Sequence, residues 1–435
     1  MNQSPEYVPR YSLIDQLLCL KKQYASLYCD LLPRSLEKCN GESKSKSASA
    51  LQDDIDEKQS IDNETCTYRL MQFNILADGL SGYYTPESPV YYHINMGSVD
   101  RELLNYGYRG FRTLEEIVRW DPDVVTIQEM DQLEFYRYYL KDTYTIVHAV
   151  KPNSPIVRVG LRIQKYLPLD GCAILFKHKR FQMLQCWKFN GASDLSAPKA
   201  CANLIVIVVH FQCKQTASFY FNDKCGETDR LYQLGYVCNK LKGIMEALQT
   251  PRSGKTEPRF VPLFIGCDLN TMCVPYSDFV PYVYWSLVHP EKLFSKSHRR
   301  ITNDANVRWD AKQQKIGKEG KEKGEEEEER GEKGNSSSLQ LDQNILQLMS
   351  QTLQYENGYG LNLKSVYEEH SKEKRNPSYT STVGGLRCLD YIFYQPDRRV
   401  QATELLSVPT EAKVTLPSWS YPSDHFSLLA TFKLS

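Results

Sequence analysis

Along this 435-residue chain, apolar runs repeatedly end in a side chain able to do chemistry. Asn74 interrupts Phe73-Asn74-Ile75-Leu76, Glu129 follows the run Asp123-Val124-Val125-Thr126-Ile127-Gln128, and His210 closes the run at 204–209. Asp268 and Asn270 follow the run at 260–265, Asp390 opens Asp390-Tyr391-Ile392-Phe393, and Pro422-Ser423 leads into Asp424 and His425 before a final apolar run. Carboxylates, amides and imidazoles delivered by strand ends suit phosphoester hydrolysis around a hard divalent cation. Such a cation keeps several waters and needs only one or two protein carboxylates, so Glu129 suffices as its anchor. Asp268 and Asn270, two positions apart, are expected on one side of a strand, where the carboxylate takes a proton from water and the amide orients it. At the last stretch Asp424 can face the metal and His425 the phosphate, with Asp390 fixing the orientation of the ring. Each fragment alone also has a plain structural reading: an Asp-His pair in a turn, an Asp capping a strand, a satisfied core histidine at position 210.

The elements that must position these groups are legible as short apolar runs at 68–76, 123–128, 172–176 and 204–209, which read as buried strands. Helices are expected at 110–120, with Leu114, Ile117 and Val118 on one face, and at 228–248, with Leu231, Leu234, Val237, Leu241 and Ile244. Mixed strands and helices imply α/β layering. Ahead of them Leu13, Leu17, Leu20, Tyr24, Leu27 and Leu31 predict an amphipathic helix ending at Pro33. This segment, 1–39, is expected to stand apart from the catalytic domain, packed on its outside or binding a protein partner. A polar, charged linker is expected at 40–66, and the domain itself at 67–435. Within it, 305–340 runs into Lys, Glu, Gly and Ser, with consecutive glutamates at 325–329, and reads as a disordered insertion before periodicity resumes at Ile345, Leu348 and Leu353.

Charge balance, 53 Lys and Arg against 53 Asp and Glu, supplies no global field, so affinity for phosphate has to be local. The 13 cysteines are scattered without a Cys-x-x-Cys pair or zinc spacing, and the odd number suits a reduced compartment better than a disulfide framework. Glu6 breaks any early signal-like run, and no stretch reaches the roughly 18 apolar residues of a membrane span. A cytoplasmic protein without a membrane span is expected, with nucleus and mitochondrion left open.

Taken in order and approximate spacing over about 68–433, the Phe73-Asn74-Ile75-Leu76, Ile127-Gln128-Glu129, His210, Cys267-Asp268-Leu269-Asn270, Leu389-Asp390-Tyr391 and Ser423-Asp424-His425 elements resemble the endonuclease/exonuclease/phosphatase superfamily. Asp170-Gly171-Cys172-Ala173, with Leu416-Pro417-Ser418 before Tyr421-Pro422-Ser423, is similar to the branch of the carbon-catabolite-repression deadenylases, Angel proteins and nocturnins. Lys151-Pro152-Asn153-Ser154-Pro155 is most like the nocturnin family. The resemblance implies a four-layer αββα sandwich of two mixed β-sheets flanked by helices, DNase I-like, with the site where strand-ending loops converge. It implies Mg²⁺, with Mn²⁺ as the alternative ion, and no organic cofactor. Glu129 and Asp424 would hold the metal with Asn74 close by, Asp268 would activate water that Asn270 orients, and His210 and the Asp390–His425 pair would stabilise charge on phosphorus. Lys151 and Lys214 would bind the anionic substrate.

The chain departs from the family pattern at Cys267, where Gly is usual, at Leu269, where Phe is usual, and at Val208 and Val209 before His210. Gln212 and Lys214 stand where nocturnins have Lys and Arg. The branch implies two substrates: the 3′ end of single-stranded RNA, trimmed by a 3′–5′ exoribonuclease of the poly(A) deadenylase type, or a phosphorylated nicotinamide dinucleotide, cleaved by an NADP(H) 2′-phosphatase. Arg158, Arg162 and Lys165 form either a basic rim or a solvated loop, and some of the 29 tyrosines, such as Tyr83, Tyr84, Tyr91 and Tyr92, either stack bases or are structural. A catalytically silent scaffold of the same fold is the third reading, opposed by the complete polar set. No leucine-rich repeat precedes the domain, so a stand-alone enzyme is expected.

Overall fold

The structure, a computed structural model, describes residues 12–39, 66–84, 100–151, 154–163, 165–183, 186, 205–210, 224–249, 261–275, 281–289, 361–382, 385–410 and 415–435. In chain order they form α1 (Leu13–Gln23), β1 (Leu36–Lys38), β2 (Cys66–Asn74), a 3-10 turn (Asp78–Leu80), α2 (Arg101–Leu104), α3 (Tyr106–Trp120), β3 (Val124–Gln128) and α4 (Leu133–Leu140). There follow β4 (Tyr144–Val150), α5 (Ile156–Ile163), β5 (Gly171–Lys177), β6 (Ile205–His210), α6 (Lys224–Gln249), β7 (Leu263–Asp268) and α7 (Tyr282–Val288). Last come β8 (Lys364–Ser365), α8 (Val366–His370), β9 (Asp390–Tyr394), β10 (Val400–Leu406) and β11 (Leu428–Leu434).

Among the described residues one sheet runs β1-β10-β11-β2-β3-β5-β4 and the other β6-β7-β9-β8. Both are mixed: β2 with β3 and β6 with β7 are parallel, the other pairs antiparallel. Strand alternation sorts the side chains into layers. On β2, Met71 and Phe73 pack with Leu114 and Ile117 of α3 and Tyr136 and Leu140 of α4, whereas Tyr68 and Leu70 face the other sheet. On β7, Ile265 and Cys267 meet Leu241 of α6 and Trp285 and Leu287 of α7, whereas Phe264 faces inward. The layers are therefore helix, sheet, sheet, helix, the expected four-layer sandwich. Toward the strand ends the sheets approach so closely that a Cβ on Gly266 would lie 1.9 Å from Thr126 Oγ1 and 2.9 Å from its Cβ. Only glycine permits that approach.

The N-terminal segment differs from expectation. Its helix starts with a capping box, Ser12 Oγ accepting the Asp15 N–H while Asp15 accepts the Ser12 N–H, but it stops at Gln23 rather than reaching Pro33. Tertiary hydrogen bonds win over helical spacing there: Arg112 donates to Tyr28 Oη at 2.6 Å and to the Cys29 carbonyl at 2.7 Å. Leu31 is buried, and β1 pairs with β10, Leu36 opposite Leu406. The segment expected to stand apart thus supplies an edge strand of the larger sheet. Val118, expected on the buried face of α3, is half-exposed, because the flank covered by residues 24–34 buries Arg112 and Glu116 instead. Cys66 opens β2, while the rest of the linker reading and the 305–340 insertion, with Ile345, Leu348 and Leu353, lie outside the described residues. Among the described residues no helix is long and apolar enough to cross a membrane.

Candidate active site

The inner faces of the strands change character along their length. On β2 they read Tyr68, Leu70, Gln72, Asn74; on β3, Val124, Thr126, Gln128; on β7, Phe264, Gly266, Asp268. Register completes the gathering, with Asn74 opposite Gln128, His210 opposite Asp268 and Asp268 opposite Asp390. Glu129, one residue past β3, takes a left-handed backbone conformation (φ 60°), rare for a residue with a side chain and typical of positions held by function. Asn74 joins both carboxylates: its Nδ2 donates to Glu129 Oε1 at 3.2 Å and to Asp268 Oδ2 at 3.0 Å, while its Oδ1 accepts the Leu76 N–H at 3.0 Å. The Ala77 N–H donates to Glu129 Oε2 at 3.3 Å.

Asp268 and Asn270 do not share a strand face. β7 ends at Asp268, and Asn270 turns back in the left-handed region (φ 51°), its N–H donating to Asp268 Oδ1 at 2.9 Å and its Nδ2 lying 3.4 Å from Oδ2. The two groups still meet, through the local side-chain-to-backbone bond that Asp favours at a turn. The Leu269 N–H donates to the Leu389 carbonyl at 2.9 Å, and Tyr391 Oη donates to the carbonyl of Thr271 at 2.9 Å, which ties this turn to β9.

Asp390 is fully buried and saturated with donors: Gln72 Nε2 at 2.9 Å on Oδ1, Thr380 Oγ1 at 2.6 Å and His425 Nδ1 at 2.7 Å on Oδ2. That bond leaves His425 Nε2 facing the site, 3.9 Å from Asp424 Oδ2. Ser423 Oγ donates to the Asn74 carbonyl at 2.7 Å and accepts the His425 N–H at 3.2 Å, so the 423–425 turn is fastened to the end of β2.

Burial pushes the Glu129 carboxyl up to about 7, with the Asp424 and Asp170 charges adding to it and Lys151 and His425 opposing. Burial likewise raises Asp268 to about 6, against the pull of His425. For His425, burial alone would lower the ring's value, but Asp390, Asp424 and Asp268 outweigh it and hold the imidazolium well above the ordinary range.

Seven expected residues, Asn74, Glu129, Asp268, Asn270, Asp390, Asp424 and His425, are brought together. Of His210 only the backbone, beside Asp268, is described, and Lys214 lies outside the described residues. Lys151 reaches Asp170 Oδ2 at 3.5 Å, on the Glu129 side of the site. The side chains of Arg158 and Arg162 lie outside the described residues, while Lys165 sits over the Tyr84 ring at 4.7 Å. Sequence reasoning missed Gln72, Gln128, Thr380, Ser423 and Asp170. A signal for the first two existed: buried amides two residues before Asn74 and directly before Glu129 continue the polar alternation.

The donor set fits a hard divalent cation. Glu129 and Asp424 are repelling oxygen donors, the first pushed up to about 7 by burial and by the charge of the second, and Asn74 stands beside them. Asp268, Asp390 and His425 also bring donor atoms within 4.8 Å of one another. That trio is the poorer cage, because both Asp390 oxygens already accept hydrogen bonds and His425 Nδ1 is directed at one of them.

No family model matches the chain. Nocturnin of Xenopus laevis is 26% identical over 396 residues, 87% of this chain and 75% of the relative; Nocturnin of Drosophila melanogaster is 23% identical over 386 residues, 84% of this chain and 46% of the relative. The crystal structure of ANGEL2, a 2′,3′-cyclic phosphatase, superposes with a TM-score of 0.53 at 20% identity, over 93% of this chain and 99% of that one, and shares the fold. These likenesses support the endonuclease/exonuclease/phosphatase superfamily and, within it, the nocturnin and Angel branch. Two of the chain's departures from the superfamily pattern now have a location. Cys267 and Leu269 point away from the site into the core under α6 and α7, where the first fills space that glycine leaves open and the second replaces one apolar side chain with another.

Proposed function

We propose that this protein is a Mg²⁺-dependent phosphoester hydrolase that trims the 3′ end of single-stranded RNA in the manner of a 3′–5′ deadenylase. The carrying observation is the meeting of Asn74, Glu129, Asp268, Asp390, Asp424 and His425 at one end of the inter-sheet space. Glu129 and Asp424 would hold the cation, which when bound supplies Lewis-acid polarisation of a phosphoryl oxygen. Asp268, ionised at neutral pH yet with a value near 6, accepts the proton of the attacking water. Asn270 and Asn74, both bonded to that carboxylate, hold it and the water in line. His425, kept protonated by Asp390, presents Nε2–H to the charge growing on the phosphoryl group.

A second reading, removal of the 2′-phosphate from an NADP(H)-type dinucleotide, is favoured by Lys151. Its ammonium stands beside Asp170 close to Glu129, a place suited to a terminal phosphate monoester rather than to a long backbone track. Incubating the purified chain and Mg²⁺ with oligo(A) RNA, and separately with NADPH, separates the two. Shortened RNA supports the first reading; intact RNA with phosphate released from NADPH overturns it in favour of the second.

A further inference from the structure

The turn that carries Ser423, Asp424 and His425 is closed by residues on either side of it. Tyr421 Oη accepts the Ser427 N–H at 2.9 Å, and Ser427 Oγ donates to Glu116 Oε1 of α3 at 3.0 Å. The cation at this closure comes from the far end of the chain. Arg34, buried just before β1, donates from Nη2 to the Ser427 carbonyl at 2.6 Å and from Nη1 to Ser427 Oγ at 2.9 Å, Tyr421 Oη at 3.3 Å and Glu116 Oε1 at 3.3 Å. Its Nε donates to the Ser407 carbonyl at 2.7 Å, and its guanidinium lies 5.6 Å from the Phe426 ring. The rest of the N-terminal segment holds the same stretch: the Leu32 N–H donates to the Ser420 carbonyl at 3.1 Å, and Tyr24 packs on Trp419 at 5.3 Å.

A buried ion pair is a poor means of adding stability, because desolvating two charges offsets their attraction, whereas a planar fork of donors is well suited to fixing one geometry. Arg34 uses that fork on the backbone and side chain of Ser427, two residues from His425. We propose that Arg34 is a positioning residue for the reaction and that the segment 12–39 is a clamp setting the turn that bears Asp424 and His425. The proposal rests on the catalytic reading above for its kinetic consequence, though not for its structural one.

The test compares the full-length chain with Arg34→Ala, Arg34→Lys and Leu241→Ala, the last a core change under the other sheet that lowers stability without touching the turn. Displacing a reacting group by about 1 Å can cost on the order of a hundredfold, so Arg34→Ala should lower kcat on oligo(A) RNA or NADPH by about ten- to a hundredfold with KM changed less than about twofold. Arg34→Lys, which keeps the charge and loses the fork, should recover part of that loss. Hydrogen exchange of the amides of 421 and 423–427 should quicken about tenfold in Arg34→Ala, by less in Arg34→Lys and not at all in Leu241→Ala, since those amides would open locally without global unfolding. Equal losses of kcat in Arg34→Ala and Leu241→Ala, or unchanged exchange at 421–427, overturn the clamp. Should Arg34→Ala not fold, the kcat/KM split and the exchange in Arg34→Lys decide by the same criteria. A wild-type chain that cleaves neither substrate sinks the catalytic reading, while the exchange comparison still decides the clamp.

Discussion

At one end of the space between the sheets Tyr68, Phe264, Tyr394 and Phe432 interlock with ring centroids 4.7 to 5.9 Å apart, while at the other end of the same strands the Gln128–Gln72–Asp390 and Asn74–Asp268 hydrogen bonds are joined through His425 and Ser423 into one network. Both ends obey the same alternation and the same register; only the residue types differ. The aromatic end buries area and makes edge-to-face contacts, which stabilise the sandwich. The polar end desolvates carboxylates that repel one another, so it costs stability and gains poised chemistry. Gly266 sits at the boundary, where Thr126 leaves no room for a side chain.

This division of labour can be broken most sharply at Asp268. Asp268→Ala should lower hydrolysis about a thousandfold or more, the range of losing a general base, while leaving Tm unchanged or higher; steady-state kinetics beside a thermal melt check it. An equal loss of activity and of folded protein would mean that the polar end is structural. Next in size, Asp390→Asn should reduce kcat about a hundredfold, because His425 loses the carboxylate that orients it and keeps it charged; NMR titration should find the ring's pKa lowered toward the ordinary value.

Phe264→Ala tests the opposite end. It should cost about 3–5 kcal/mol in denaturant unfolding, as for a buried aromatic truncation, and leave kcat per folded molecule within about threefold of wild type. A large kcat defect there would erase the distinction between the ends. The smallest effect is the response to pH. The folded chain holds protons on Asp268 to about 6 and on Glu129 to about 7, above the ordinary 3.8 and 4.5, so it binds more protons than the unfolded chain between those values. Metal-free stability should therefore fall as pH rises through about 4 to 7, with the raised His425 extending the fall to higher pH. Melts in EDTA should give a lower Tm at pH 8 than at pH 5.5, and Mg²⁺ should raise Tm more at pH 8; a greater Mg²⁺ effect at pH 5.5 would contradict the assignment of Glu129.

Much of this was readable in advance because strands buried on both faces are nearly continuous apolar runs, and a polar residue at the end of one is conspicuous. β2, β3, β5, β6, β7, β9 and β11 all lie within a few residues of their expected runs. β4 and β10 escaped, since Thr145 and His148 in one and Gln401 and Glu404 in the other dilute the pattern at positions nearer the sheet margin. Helix α1 was visible from its spacing, yet its end was not, because Arg112 lies more than eighty positions from the Tyr28 and Cys29 that it holds.

Residue types and periodicity determined the α/β layering and the strands that carry the site, since those depend on local burial, while the order of the motifs and the family they resemble singled out the carboxylates and the imidazole. Only the tertiary structure decided that Asn270 turns back onto Asp268 rather than lining a strand beside it, and that Asn74 bridges Asp268 to Glu129. It alone brought Arg34 to the turn bearing His425. Those are contacts between groups far apart in the chain, or turns chosen by what surrounds them, and no local pattern encodes which distant donor will arrive.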